Sequence, residues 1–272
     1  MRIKIITIAF LALAGLFPAA VSGAESPMAA ADSAYAAKDY ARAVMEYQAL
    51  EETEGTSVAL LYNLGNAYFQ EGDFGHAMLC WQRARRLDPS NSVVNANIRY
   101  LTGRVEDSNK AELKGRRMKV TPDEKSFFGN IHASVAENVS SDTWAVWGAV
   151  FCILCIRGTA LYIFSRSVAA RKTGFFGGIV SLLLAVVFVA FAAMGARVMN
   201  AHDTGVVTGF KVMLRTEPGD AGNPEKAGIL TKGTVVQILS EEVDAEGNVT
   251  WYKVRLNSDY IGWIPVSDME IV

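Results

Sequence analysis

Residues 40–84, YARAVMEYQALEETEGTSVALLYNLGNAYFQEGDFGHAMLCWQRA, repeat themselves at a spacing of 34. Tyr40 recurs as Phe74, Ala43 as Ala77 and Tyr47 as Trp81. A period of this length marks a helix pair that cannot bury its apolar face alone. Copies therefore stack, and the stack leaves an extended concave surface free to hold another polypeptide. The stretch points to binding rather than catalysis.

The second copy is the more complete. Leu61, Leu64, Gly65, Tyr68, Ala77, Trp81, Ala84 and Pro89 stand at the offsets of the tetratricopeptide (TPR) pattern, which the segment closely resembles. Gly65 and Ala77 are expected where the two helices cross, because only a small side chain lets the backbones approach, with Tyr68 and Trp81 filling the groove beside them. Pro89 ends the second helix, since the residue before a proline disfavours the helical region. In the first copy Ala31 takes the place of Gly65 and Ala34 that of Tyr68, so its first helix, about 27–37, is expected to pack loosely. A third helix at 92–105 repeats Asn63 and Leu64 as Asn97 and Ile98, and serves as a cap. The TPR domain is expected over 25–105.

The concave face presents Asn63, Asn66 and Gln70 at helical spacing, with Asn97 one repeat on. Such a row suits hydrogen bonding to an extended peptide backbone, and reads equally well as a solvated polar stripe. Asn63 matches the asparagine with which some TPR domains clamp a partner's C-terminal carboxylate. Met28, Asp32 and Val93 replace the other clamp residues, so no carboxylate clamp is expected.

With 26 basic and 28 acidic residues the chain offers no case for nucleic acid. Its apolar runs say more. Residues 5–17 follow Arg2 and Lys4 and precede the small residues Val21, Ser22, Gly23 and Ala24, the pattern of a secretory signal peptide over 1–24, cleaved after Ala24. An uncleaved anchor is the competing reading, but the run is short for a bilayer. Residues 144–164 and 175–197 are each about twenty residues, roughly 30 Å as helix, and are read as two transmembrane helices. The loop 165–174 carries Arg166, Arg171 and Lys172 and no acidic residue, which places it in the cytoplasm by the positive-inside rule. The flanking domains then lie in the periplasm, anchored to the inner membrane. Arg157 interrupts the first span, and either snorkels to the surface or pairs with another helix.

Residues 106–143 read as a linker with a basic cluster at Lys110, Lys114, Arg116, Arg117 and Lys119. The cluster is either a solvated segment or a patch for anionic lipid or an acidic partner. Phe127, Phe128 and Ile131 suit a membrane interface. From 203 to 272 short segments rich in Val, Ile and aromatic residues alternate with Gly, Pro and Asp turns. Strands are expected at 205–214, 234–239, 250–256, 260–265 and 269–272, forming a small, partly open barrel. The pieces around Val212–Pro218, Lys232–Val236, Trp251–Arg255 and Gly262–Ile264 resemble the bacterial SH3 domain. Tyr252, Val254, Ile264, Val236 and Ile238 are expected in the core. Trp251, Tyr260 and Trp263 either line a shallow groove or seal the barrel.

No catalytic, cofactor or metal residues emerge. Cys80 stands alone, and Cys152 and Cys155 fall inside the first apolar span, where a reactive thiolate is disfavoured. His76, His132 and His202 are far apart in sequence and lack ligand-like neighbours. No phosphate-binding glycine loop occurs.

The expected whole is multi-domain: an all-α TPR helical array, a two-helix transmembrane hairpin and a small all-β SH3-like barrel. This order of parts resembles the TPR-bearing members of the aerotolerance-operon (Bat) family. The stop Asp88-Pro89-Ser90-Asn91, the pair Asn97-Ile98, the segment Asp142-Thr143-Trp144 and Gly262-Trp263-Ile264 carry that resemblance. It implies a non-enzymatic scaffold working beside von Willebrand A-type membrane proteins in an envelope complex linked to stress tolerance. Two tethered modules would then gain avidity from their high effective concentration. The alternative is a cell-wall receptor whose SH3-like domain grips peptidoglycan while the TPR unit controls a wall hydrolase.

Overall fold

The computed structural model describes residues 27–113, 116–122, 139–200, 203–219 and 228–272. The expected signal peptide, Lys114, Phe127, Phe128, Ile131, His132 and His202 lie outside the described residues.

Among the described residues five helices come first: α1 (Ala29–Ala36), α2 (Tyr40–Glu54), α3 (Val58–Glu71), α4 (Phe74–Leu87) and α5 (Ser92–Glu106). Local chemistry fixes where four of them begin. The side chains of Asp39, Ser57, Asp73 and Asn91 each accept a hydrogen bond from a backbone N–H in the first turn, satisfying donors that the helix itself leaves open. Gly72 ends α3 in the left-handed conformation, at φ 89°. A side chain on Gly65 would place its Cβ 2.5 Å from the indole nitrogen of Trp81. Trp81 is buried and donates to the Tyr62 carbonyl at 3.3 Å. The helix pair is thus built around an aromatic knob that requires a glycine opposite.

The degraded first copy does not pack loosely. Ala31 and Ala34 are buried with Ala43, Tyr47 and Leu64, and Tyr47 donates to the Asp32 carboxylate at 2.5 Å. Small residues here let α1 sit close where a larger aromatic would stand it off.

Two longer helices, α6 (Ser141–Phe164) and α7 (Val168–Asn200), form an antiparallel hairpin, and both are long and apolar enough to cross a membrane. Their backbones touch near the turn. A Cβ on Gly158 would lie 2.9 Å from both the Gly174 carbonyl oxygen and the Gly178 Cα. Away from that contact the outward faces stay apolar and exposed, as at Ile156, Ile163, Phe176 and Leu183. The turn is only residues 165–167, shorter than the loop 165–174 expected from the sequence. Hydropathy marks where the apolar stretch ends, whereas the helix continues through Arg171 and Lys172, which are good helix formers. Arg157 is exposed on α6.

The other described residues form β-strands and one short 3-10 turn, Val266–Asp268, and this part begins before the hairpin. β1 (Lys110–Leu113) and β2 (Arg116–Lys119) lie inside the segment read as a linker. They precede β3 (Thr204–Val207), β4 (Val212–Met213), β5 (Gly228–Leu230), β6 (Val235–Val243), β7 (Val249–Arg255), β8 (Ile261–Pro265) and β9 (Met269–Ile271). One antiparallel sheet has the order β8-β7-β6-β3-β9 and the other β2-β1-β5-β4. Reciprocal backbone bonds between Arg215 and Trp263, at 3.0 and 2.8 Å, stitch the two together. The core between them includes Val207, Leu230, Val236, Tyr252, Val254 and Ile264.

The expected strand at 205–214 is two strands. Gly209 sits against Val212 and Asp268, and Lys211 has φ 59°, a left-handed conformation that breaks the run. The linker reading likewise gives way over residues 110–119. β1 pairs with β5 through Lys110↔Ile229 and Ala111↔Gly228, and β2 becomes the edge of the sheet.

Candidate functional site

On the helical array Asn63, Asn66 and Asn97 are held in two hydrogen-bonded pairs. Asn63 lies within 3.5 Å of the Asp32 carboxylate, which also takes the Tyr47 hydroxyl, and the Asn97 amide donates to the Asn66 carbonyl at 3.0 Å. Asn63, Asn66 and Asn97 are half-buried and Gln70 is exposed. Tyr35 stands edge-on to Tyr40 at 5.4 Å. Asp32, the residue that breaks the clamp pattern, thus organises the first part of this face. Burial, followed by the bond to Asp32, pushes the Tyr47 hydroxyl well above its ordinary range, so it stays a neutral donor. Nearby, Gln48 donates to the Tyr68 hydroxyl at 2.7 Å, and burial pushes that phenol up to about 12.

On the β domain, Trp251 and Trp263 share the outer face. β7 alternates buried Tyr252 and Val254 with half-buried Trp251 and Lys253, and the register Trp251↔Pro265, Lys253↔Trp263 makes the two indoles diagonal neighbours. Arg215 lies over Trp251 at 4.8 Å and Lys253 over Trp263 at 5.8 Å. Each indole is therefore capped by a cation. Tyr260 goes elsewhere. It packs on the barrel core against Gly228, where an added Cβ would meet its ring at 3.2 Å.

Neither surface stands on an independent module. Val206 of β3 is fully buried in the same cluster as Leu79, Trp81 and Leu101, with Val235 and Val272 packed against it. A Cβ on Gly75 would lie 2.9 Å from the Thr208 Cα, and one on Gly233 would lie 2.9 Å from the Phe74 carbonyl oxygen. Arg83 donates to the Ile271 carbonyl at 3.2 Å, and Arg86 donates to that of Val272. Asn109, just before β1, is 1% exposed, and its side-chain oxygen accepts from the Thr231 N–H and from the hydroxyls of Thr231 and Thr234 at 2.9 to 3.1 Å. Helical array, strand pair and barrel meet in one packed junction.

His76 is the charged centre of that junction. Its Nδ1 is 2.7 Å from Asp73, its Nε2 3.3 Å from Glu270, and its ring stacks on Tyr68 at 5.1 Å. The bond to Asp73 raises the His76 pKa against the opposing effect of burial, with Glu270 adding to the rise. Burial works against ionisation of Asp73, but the hydrogen bond and charge of His76, with Lys232 at 3.8 Å, hold its carboxyl below the usual range. Arg83 completes the cluster, 3.7 Å from Glu270. The isolated position of His76 in sequence gave no sign of this, because its partner Glu270 lies almost two hundred residues away. The helix cap Asp73-x-x-His76 was the one local signal.

Residues 58–91 match the tetratricopeptide repeat family model, and residues 212–270 match that of the bacterial SH3 domain. No curated protein matches the chain. Both matched modules typically bind rather than catalyse. Among the described residues no group of three or more His, Cys, Asp or Glu could hold a metal ion. Cys80 is buried, and that burial pushes its thiol up to about 12, far from a reactive thiolate.

Proposed function

We propose that this chain is a non-enzymatic, membrane-anchored scaffold that holds protein partners at the cell envelope. The observation carrying this reading is the row Asp32, Asn63, Asn66 and Asn97 on the helical array. Its side chains are prearranged by hydrogen bonds to one another. Amides held in this way can exchange their mutual bonds for those of an extended peptide. The exposed apolar faces of α6 and α7 are most simply covered by lipid.

In its finer form, which rests on the family resemblance, the partners are membrane proteins with von Willebrand A-type domains in a Bat-type envelope complex linked to stress tolerance. Both domains then face the periplasm and the turn of the hairpin faces the cytoplasm. The test is recovery of tagged full-length protein from membranes in mild detergent, beside the double variant Asn66→Ala, Asn97→Ala. Membrane proteins with large soluble domains should be retained by the wild type and lost by the variant. Equal retention by both would contradict the reading.

The paired indoles of Trp251 and Trp263, each under a cation, favour a second reading in which the β domain grips peptidoglycan. Aromatic faces would pack on sugars, and Arg215 and Lys253 would meet the carboxylates of the stem peptides. Substituting both tryptophans by alanine should then abolish sedimentation with purified cell wall.

A further inference from the structure

The turn end of the hairpin combines features that the scaffold reading does not use. Between Tyr162 of α6 and Arg171, Lys172 and Phe175 of α7 lies an open cavity of about 250 Å³. Below it a second, mainly apolar groove of about 270 Å³ runs along Cys155, Thr159, Gly178 and Leu182. Tyr162 and Phe175 wall both, so the two adjoin. The groove exists because α6 and α7 approach backbone to backbone at Gly158, Gly174 and Gly178, leaving no side chains to fill the space beside that contact.

The charge at the mouth is one-sided. Arg171 lies 5.5 Å over the Tyr162 ring, Lys172 lines the same cavity, and Arg166 is exposed on the turn. No acidic residue occurs from 165 to 174, and among the described residues none of these three cations has a carboxylate partner. A cationic mouth opening into an apolar groove complements one kind of molecule in a bilayer: a negative headgroup joined to a hydrocarbon chain.

We propose that this end of the hairpin binds one anionic phospholipid, its phosphate held by Arg171 and Lys172 and one acyl chain lying in the groove beside Gly178. The proposal rests on α6 and α7 spanning a membrane. Attraction of a basic side chain to anionic lipid changes binding about fivefold for each charge. Removing both charges should weaken retention roughly twenty-five-fold on the same scale.

Full-length protein is purified in mild detergent, mixed with equal phosphatidylglycerol and phosphatidylcholine, and examined by native mass spectrometry. The wild type should keep one phosphatidylglycerol in preference to phosphatidylcholine, and added inorganic phosphate should not displace it. Arg171→Gln with Lys172→Gln should remove the preference. Thr159→Phe, which fills the groove and leaves the charges in place, should weaken retention of the same lipid. Equal retention of the two lipids by the wild type, or a preference unchanged in the charge variant, would overturn the site. Displacement by inorganic phosphate would overturn it in favour of a simple anion site. Extraction of membranes with alkaline carbonate separates the two claims. A chain that stays in the pellet without lipid preference loses only this site, whereas a chain released to the supernatant loses the membrane reading as well.

Discussion

Replacing Gly75 by alanine tests whether the helical array and the β domain work as one body, because the two possibilities give opposite signs. Gly75 lies in the first turn of α4 and is buried. In a free helical array an alanine there would favour the helix by about 0.5–1 kcal/mol, since glycine loses more backbone entropy on folding. In the packed protein the new Cβ falls 2.9 Å from the Thr208 Cα, about 0.5 Å inside ordinary contact, and 3.2 Å from the Val207 carbonyl oxygen. Both neighbours are backbone, so nothing can swing aside, and overpacking of this kind costs about 1–3 kcal/mol. The balance is a loss of about 1–2 kcal/mol, which raises the population of the opened junction roughly five- to thirty-fold. Hydrogen exchange read by mass spectrometry on the full chain in detergent should show faster exchange in α4 and in β3 together. Slower or unchanged exchange in α4, with β3 unaffected, would refute the packed junction.

Protonation should tune the same contact. His76 is raised from its ordinary 6.5, so its contribution is complete below that pH and fades as pH rises through the higher folded value. Asp73 is lowered from 3.8, so its contribution is complete above that pH and is lost as pH falls through the lower folded value. Exchange at the junction should therefore be slowest between about pH 4 and 6.5, and His76→Gln should flatten the upper limb. Gly65→Ala drives a Cβ to 2.5 Å from the buried Trp81 and should lower stability by about 1–3 kcal/mol, visible as a drop in Tm of the full chain. Asn109→Ala leaves the Thr231 N–H without its acceptor, while the Thr234 hydroxyl keeps the Thr231 carbonyl at 2.6 Å. It should cost about 1–3 kcal/mol, with exchange in β1 and β5 rising together.

What was legible in the sequence was whatever is repeated or periodic. The 34-residue recurrence gave the helix pair, Gly65 against Trp81 gave its crossing, and alternation around Tyr252 and Val254 gave the central strands of the barrel. The row Asn63, Asn66 and Asn97 followed from helical spacing. Less could be read where structure depends on distant partners. β1 and β2 are strands of four residues each, β2 pairing only with β1 and β1 with β5, and β5 itself is three residues long. The junction rests on pairs such as His76 with Glu270 and Asn109 with Thr231, which no local pattern connects. Of the three aromatics read as lining a groove or sealing the barrel, Trp251 and Trp263 stand on the outer face, while Tyr260, just before β8, packs on the core.

The central claim is that the TPR-like array and the SH3-like domain present their binding surfaces as parts of one packed unit. A zero-length carbodiimide crosslink tests it directly, since the Lys232 amine lies 3.8 Å from the Asp73 carboxylate across the junction. Asp107 and Lys119, paired near the strand hairpin, serve as the internal control. In monomeric full-length protein, peptide mapping should recover both the Asp73–Lys232 link and the control link. Recovery of the control link without any Asp73–Lys232 link would mean that the two domains are merely tethered, and would contradict the account.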